Sequence, residues 1–507
     1  MNKAINNKNT VLRYIVPFYV ESKNKVNEQY EVIAEQLQAA KGYEIPNTSD
    51  SEKDLYEYIY DQIGMGMDTK ELGCVYEKKD VKEYRNLEYI LSNDENNEKV
   101  FRFKIANYKI YLFKTGVNFF CYDIEIKDKE NYELSDLVEF QNIFKELVRK
   151  DYIIRKYKEE KTSSDGKKQY VDAQETYRGA EAIHKELTSI FATDNNVRYY
   201  SERVITIDEV ETKVIDKPIL YSYVSVIDAD KLSDAYYKSV YYLSTGFTTK
   251  YEYNERRMEK VFRPFDNIIW EISKEGCCGL AVVENEKHYL YSDFKTRVKN
   301  DYFLLYILVL HQAHVMLDFS NMIARELPAD YESYDDGEGK LYETIKKIKL
   351  RLNVFLARNV YTSVSHIQHH NEFYDYAVRR LDIEHDIQSV SAGLGALEKT
   401  QQMNRERYEQ IVKEENNSNI RIIAGFLTFI NTVSISLNLD KFIDELNLFL
   451  CNRGCELSLG LGVKISTQLI IWFLALYILR KTCGSLAVNW VKKKIKVIKK
   501  IFTLIRR

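Results

Sequence analysis

Proline is scarce in this chain, which has five prolines among 507 residues. Because proline interrupts helices, this scarcity favours long, continuous helices. The N-terminus also lacks an apolar run of about 7–15 residues behind a basic stretch, since Arg13 and Pro17 break it, so a cleaved signal peptide is not predicted. The formal net charge of -3 leaves no strong basic excess, and we expect no direct nucleic-acid binding.

Several catalytic and metal-binding motifs are missing as well. The seven cysteines form no paired C-x-x-C knuckles with zinc spacing. The chain has no Walker loop, no dinucleotide fingerprint and no G-x-S-x-G elbow, so we predict no enzymatic activity and no catalytic residues. Cys451 and Cys455 fall in a segment that we place outside the membrane, and whether they form a disulfide stays open.

Two groups of histidines have helical spacings that suit a metal ion, namely His311 with His314, and His366 with His369 and His370. No carboxylate or cysteine completes either set nearby in the sequence. Ordinary packing or solvation is therefore the favoured interpretation, and no metal site is predicted.

The N-terminal part of the chain has the pattern of an α/β region. "KVFRFKIANYKIYLFKTGVNFFCYDIEI" (99–126) predicts three strands separated by Ala-Asn and Thr-Gly turns, and an amphipathic helix follows it. "GCCG" (276–279) predicts a turn between two later strands. The fold class is thus α+β, with a cytoplasmic α/β domain, then long helices and a C-terminal two-span transmembrane hairpin.

An apolar run from Tyr302 to Phe319 is long enough to resemble a membrane span. His311, Gln312, His314 and Asp318 interrupt it, and polar residues recur periodically beyond it. We therefore expect a buried helix of the soluble domain core.

A heptad-like seam begins the last long helix. Its apolar positions step by four and three residues: Ile383, Ile387, Val390, Leu394 and Leu397. Gly393 and Gly395 lie inside this pattern, where each costs about 1 kcal/mol relative to alanine. They mark either a close helix contact or hinge, or an exposed face.

The segment 419–440 is predicted to be the first transmembrane helix. No charge occurs between Arg421 and Asp440, a length of about 27 Å at 1.5 Å per residue. One stripe of this helix steps strictly by four and three residues: Ala424, Thr428, Asn431, Ile435 and Asn438. A polar stripe must face protein or water rather than lipid, so these residues either line a pore or join helices.

A second span is predicted at 464–481, after an extracytoplasmic loop at 441–463. Acidic residues at the end of the first span and the start of this loop are predicted to lie at the pore entrance. That entrance set comprises Asp440, Asp444 and Glu445. The basic tail 482–507 puts both termini in the cytoplasm. The tail is predicted to be an amphipathic helix on anionic lipid, with these membrane-surface residues: Lys492, Lys493, Lys494, Lys496, Lys499 and Lys500. The full predicted division is 1–298 ligand-sensing domain, 299–418 long-helix stalk, 419–440 first span, 441–463 loop, 464–481 second span and 482–507 tail.

This arrangement resembles the CorA family of magnesium transporters and channels over about residues 300–507. The likeness is one of topology. The family has a Tyr-Gly-Met-Asn signature at the end of its first span, and this chain has "SLNLD" (436–440) there instead. Only Asn438 corresponds to a residue of the signature, its asparagine. The resemblance implies a homo-oligomer, a pentamer by family precedent, with the first span around a central pore. Without the signature, the chain is similar to the CorA-type membrane effectors of type III CRISPR systems.

These features predict a channel or permeabilising effector in the bacterial inner membrane, gated when a small nucleotide messenger binds the soluble domain. The messenger would be an adenosylmethionine-AMP conjugate or a cyclic oligoadenylate, and the sequence does not indicate which residues bind it. The partners expected are the lipid bilayer, other copies of the chain and this nucleotide. The alternative is a divalent metal cation transporter of the Mg²⁺ type.

Overall fold

The computed structural model describes these residues: 3–5, 7–20, 26–40, 42–46, 54–63, 73–79, 81, 87–94, 97–127, 132–146, 153–162, 168–178, 186–191, 197–207, 209–228, 232–247, 253–254, 260–326, 340–452, 466, 469–471, 473 and 477. The chain divides into two compact units. Unit 1 comprises Met1–Leu327 and Lys347–Leu394, and unit 2 comprises Pro328–Lys346 and Gly395–Arg507. The predicted boundary between domain and stalk, at 298, falls inside unit 1.

The strands are β1 Val11–Val20, β2 Gly73–Lys79, β3 Leu87–Asp94, β4 Asn97–Phe113, β5 Asn118–Ile126, β6 Ile153–Thr162, β7 Lys168–Arg178, β8 Val197–Tyr199, β9 Glu202–Ile207, β10 Val210–Ile215, β11 Ile219–Ile227, β12 Phe262–Phe265, β13 Ile268–Ser273 and β14 Gly276–Val283. The helices are α1 Val26–Ala39, α2 Glu57–Asp61, α3 Leu134–Glu146, α4 Asp234–Thr245, α5 Tyr289–Ser292, α6 Phe294–Arg297, α7 Phe303–Glu326, α8 Lys340–Asn359, α9 Gln368–Arg380 and α10 Ile383–Asn452, with a π-helical turn Val298–Tyr302 between α6 and α7. The mixed α/β character of the N-terminal region is thereby confirmed.

Twelve of the described strands form one mixed sheet. Its path is β12-β13-β14-β11-β1-β5-β4-β3-β6-β7, while β2 also pairs with β4 and β8 with β1. The pairing of β11 with β14 is parallel, and the other pairings of these two strands are antiparallel. A parallel pair needs a crossover connection, and α4 lies in the connection from β11 to β14.

The sheet of unit 1 is covered by helices on both faces. On one face Tyr14 packs against Phe144 of α3, with ring centroids 4.5 Å apart. On the other face Tyr221 packs against Phe303 of α7 at 4.9 Å, and the guanidinium carbon of Arg13 lies 3.9 Å from the same ring centre. Aromatic pairs at such distances contribute packing and orientation on both sides of the sheet.

The segment 99–126 forms two strands rather than the predicted three. Ala106-Asn107 lies inside β4, where the register with β5 shifts between Ile105 and Asn107. The dipeptide thus accompanies a bulge instead of a turn. Only the Thr115-Gly116 turn separates strands, because the two halves of β4 each find a partner along the same edge, first β3 and then β2.

The predicted turn at 276–279 is also wrong, since these residues open strand β14. Gly279 pairs with Trp270, and a Cβ atom there would lie 2.8 Å from the indole ring. Glycine at this position therefore serves close packing of a large buried ring rather than chain reversal.

Helix α7 confirms the expectation of a buried core helix. Its first eight residues, 303–310, are all buried. Among the described helices, one segment, Phe294–Arg325, is long and apolar enough to cross a membrane, and 72% of its apolar window is buried inside the protein. That burial fits a helix in the core of unit 1.

Helix α10 continues beyond both ends of the predicted first span. It starts at Ile383 and ends at Asn452, so the predicted loop 441–463 begins as helix. No proline or glycine occurs between Gly425 and Gly454, which explains why nothing ends the helix at Asp440. In the heptad-like seam, Ile383 and Leu394 are buried, and the three other positions are half-buried.

Candidate functional site

A cavity of about 540 Å³ lies in unit 1, beside the edge of the sheet where β12 and β13 meet. Its lining comes from four separate parts of the chain: Asp54, Phe265, Asn267, His288, Tyr289, Leu290, Phe294, Arg297, Ile367, His369 and His370. A volume of this size suits a small molecule, and aromatic, imidazole and charged groups converge on it.

An aromatic column leads from the sheet to the cavity. Tyr302 stacks on Trp270, with ring centroids 5.1 Å apart and planes 11° apart. The Tyr302 hydroxyl lies 2.8 Å from Nδ1 of His369, and the two rings are nearly parallel. Since Trp270 is fully buried beside Gly279, the sheet fixes the position of a cavity imidazole through two rings.

Exposed aromatic rings also line the cavity. Phe265, at the end of β12, is 46% exposed, and Tyr289, at the start of α5, is 51% exposed. Phe294, which packs against Tyr289 at 5.9 Å, is buried. Large aromatic side chains that remain exposed beside a cavity offer faces on which a planar ligand can stack.

A charged cluster lies at one wall of the cavity, which Asp54 and Arg297 line. Arg297 and Asp301 are four residues apart on the helical turns before α7, and Nη1 of Arg297 lies 3.4 Å from Oδ2 of Asp301. The same Nη1 atom also forms an ion pair with Oδ2 of Asp54. Tyr60 donates its hydroxyl to Oδ1 of Asp301 at 3.3 Å. The two carboxylates outnumber the guanidinium in this cluster.

Burial sets the protonation of the groups in this wall. It raises the pKa of Asp301 to about 6, aided by the neighbouring Asp54 and opposed by Arg297. Burial also lowers the pKa of His370 to about 3, with smaller contributions from His369 and Arg297, and it lowers the pKa of His369. Both imidazoles are therefore neutral near pH 7 and have a lone pair to offer.

A hydroxyl bridge connects His370 to the segment of Asp54. Ser365 donates to the backbone carbonyl of Asp54 at 2.5 Å, so its only proton is committed there. Nδ1 of His370 lies 3.3 Å from the same hydroxyl oxygen and must therefore be the donor of that contact. Neutral His370 thus carries its proton on Nδ1 and its lone pair on Nε2.

Asp54, Asp301 and His370 can also be viewed as metal ligands. Each offers one ligand atom, and these three atoms lie within 4.8 Å of one another. Among the described residues this is the one such group of three or more His, Cys, Asp or Glu side chains. Its carboxylates come from residues far from His370 in the sequence, which is why histidine spacing alone did not indicate it.

His311 and His314 fit the packing interpretation, and His366 is exposed. His311 is buried, its ring stacks on Phe113 at 3.9 Å, and its Nε2 lies 2.8 Å from the hydroxyl of Thr115. Nδ1 of His314 donates to the carbonyl of Leu310 at 2.8 Å. Both imidazoles therefore form hydrogen bonds within the core of unit 1.

The structure places the predicted pore residues on α10, and all five side chains of the stripe are exposed: Ala424, Thr428, Asn431, Ile435 and Asn438. Asp444 and Glu445 are exposed on the same helix, while the side chain of Asp440 lies outside the described residues. Outside them as well lie Cys455, the predicted membrane-surface lysines 492–500 and most of the predicted second span.

Comparison with family models, curated proteins and solved structures found no match to this chain. The likeness to CorA proteins therefore stays a prediction from topology. The chemistry of the cavity and of α10 carries the functional argument.

Proposed function

We propose that this chain is a ligand-gated membrane protein, in which the cavity of unit 1 binds a small adenine nucleotide and the segment 419–440 lines an ion path in an oligomer. The observation that carries the proposal is a cavity of about 540 Å³ with exposed aromatic rings, in a chain whose long helix has no charged residue over 422–439 and exposes several apolar side chains there. The cavity accounts for binding of the ligand, and the uncharged helical segment accounts for a location in the membrane.

The cavity lining suits a nucleotide by its chemistry. Phe265, Tyr289 and His369 offer ring faces for a base, and stacking on an aromatic side chain contributes about 1–3 kcal/mol per base. Asn267 offers amide groups for the polar edge of the base, and Arg297 offers a guanidinium for phosphate. These groups approach from one cavity, so a single ligand can contact all of them.

The composition of α10 supports a membrane location. Apolar side chains of the segment are exposed on the protomer: Ile420, Ile423, Leu427, Ile430 and Ile435. The side chains of Asn431 and Asn438 are exposed on the same helix and form no hydrogen bond with the described residues. In a bilayer an unpaired amide is unfavourable, so these side chains require other copies of the chain or a water-filled path.

The chain connection provides a route for gating. His369 and His370 belong to α9, and only Leu381 and Asp382 separate this helix from α10. A ligand that prefers one position of α9 shifts the population of conformations at the start of α10. In this proposal the predicted loop 441–463, second span 464–481 and tail 482–507 complete the membrane-spanning part of the chain.

The test measures binding of cyclic oligoadenylates and an adenosylmethionine-AMP conjugate to the detergent-purified full chain by calorimetry. We expect one of these probes to bind, and Phe265→Ala to weaken binding about tenfold or more, in line with the loss of one stacking platform. Leu350→Ala is the matched control, because Leu350 is another exposed apolar side chain, away from the cavity. Failure of every probe to bind, or equal affinity of Phe265→Ala, overturns the nucleotide assignment.

Flux from liposomes separates this function from the alternative. A gated channel conducts ions on addition of the bound nucleotide, whereas a divalent cation transporter carries Mg²⁺ without it. Nucleotide-independent Mg²⁺ flux at full rate would therefore replace the proposed function by the transporter.

A further inference from the structure

A group of three side chains lies at the wall of the cavity, and its arrangement does not depend on a nucleotide. Asp54 precedes the β-bridge at Leu55, Asp301 lies in the π-helical turn, and His370 lies in the first turn of α9. Three separate parts of the chain thus bring two carboxylates and one imidazole together, with ligand atoms within 4.8 Å of one another.

We propose that Asp54, Asp301 and His370 bind a divalent transition-metal ion, such as Zn²⁺, Mn²⁺ or Co²⁺, at the wall of the cavity. Three mixed nitrogen and oxygen ligands leave further coordination positions open, and these face a cavity that two of the three residues line. Imidazole in the set favours transition metals over Mg²⁺ and Ca²⁺, which prefer oxygen ligands alone.

The burial and the hydrogen bonding of His370 are the independent observations that support this site. His370 is 1% exposed, and the committed hydroxyl of Ser365 fixes its proton on Nδ1. The lone pair therefore lies on Nε2, as in metal-bound histidines whose other ring nitrogen donates to a neighbouring acceptor. Ser365 holds the carbonyl of Asp54 as well, so one hydroxyl positions two of the three ligands.

Arg297 provides the positive charge that balances the carboxylates when no ion is bound. Its Nη1 atom contacts Oδ2 of both Asp54 and Asp301, which keeps two buried or half-buried carboxylates close together. A divalent ion supplies the same balance with more charge, so it can share these carboxylates with Arg297 or displace the guanidinium toward the cavity. Metal bonds of about 2.0–2.2 Å hold ligand atoms within about 4 Å of one another, so separations of at most 4.8 Å call for no more than a small adjustment of the side chains.

The experiment uses the detergent-purified full chain after treatment with a chelator. Titration with Co²⁺, followed by visible absorption, reports coordination by nitrogen and oxygen, and calorimetry with Zn²⁺ gives affinity and stoichiometry. We expect one ion per chain, Mg²⁺ as a poor competitor, and at least a tenfold loss of affinity in both Asp54→Asn and His370→Gln. His385→Gln, which changes an exposed histidine of α10, should bind as the wild type does.

Two results would overturn the site. One is wild-type protein that binds no stoichiometric Co²⁺ or Zn²⁺, and the other is an unchanged affinity in the variants. If His370→Gln does not fold, Asp54→Asn decides alone, because Asp54 is half-buried and outside helices and strands. Metal binding and nucleotide binding are measured separately, so each can fail without the other.

Discussion

At the scale of single residues, burial determines which side chains change charge with pH. His311 lies between Phe113 and Phe355, with ring centroids 3.9 and 5.8 Å away, and is 1% exposed. Burial lowers its pKa to about 3, with a further lowering by His314. The folded protein thus keeps this imidazole neutral where an unfolded chain would protonate it.

This lowered pKa predicts a loss of stability in acid. An unfolded histidine titrates near pH 6.5, so below that value the unfolded state binds more protons and the free energy of unfolding falls as the pH drops toward 3. The contribution of His311 is up to about 1.4 kcal/mol per pH unit. His311→Gln should remove this part of the slope, measured as melting temperature against pH for the full chain in detergent.

His385→Gln is the control for that measurement, because it changes an exposed histidine of α10 instead of a buried one. The control should keep the wild-type slope. Equal slopes for wild type and His311→Gln would mean that His311 does not carry the pH dependence.

At the scale of elements, glycines in a strand and in a helix behave in opposite ways. Gly279 of β14 lies under the indole of Trp270, whereas a Cβ atom at Gly393 of α10 meets no atom within 4 Å. The sequence left open whether Gly393 marks a close helix contact or an exposed face. Within the described part of this single chain, the second alternative holds.

The two glycines therefore form a matched pair for alanine substitution. Gly393→Ala should raise the free energy of unfolding by about 0.5–1 kcal/mol, because alanine is the better helix former and space is open. Gly279→Ala should lower it by about 1–3 kcal/mol, because Trp270 is fully buried and its ring must shift. Denaturation of the full chain in detergent measures both.

A lower stability of Gly393→Ala would contradict this expectation and indicate that another copy of the chain packs against that position. Contact with another copy is the alternative, because Val390 and Leu397 of the heptad-like seam lie near Gly393 on α10 and are only half-buried in this chain.

At the scale of the whole molecule, the proposed ion path depends on Asn431. Asn431→Leu should reduce ligand-induced ion flux in liposomes while expression and assembly persist. The leucine side chains from the several copies would form an apolar constriction, and such a constriction excludes water from a narrow pore. Ile430→Leu is the matched control, since Ile430 is exposed on the apolar side of the same helix. Flux that is unchanged in Asn431→Leu would exclude this asparagine from the path.

Chemical crosslinking of the wild type in membranes addresses the assembly itself. Higher oligomers are expected, with five copies by the family resemblance. Monomers alone would remove the partners that the polar stripe requires.

Periodicity in the sequence predicted the elements that have strong local patterns. The helices that begin at Leu134, Phe303 and Ile383 are all present. Apolar residues at a spacing of three and four share one face only in a helix, so only a helix buries them together. Short-range turn signals failed where a partner strand was available, as at Ala106-Asn107 and Gly276, because pairing in a sheet overrides local turn preference.

The sequence by itself determined a mixed α/β region, a buried apolar helix and an uncharged amphipathic segment, because these depend on neighbours a few residues apart. Only the tertiary structure decided that Asp54, Arg297 and His370 line one cavity and that Asp301 lies beside them. No local pattern marks such a group, since its members meet through the packing of the sheet edge against α6, the π-helical turn and α9.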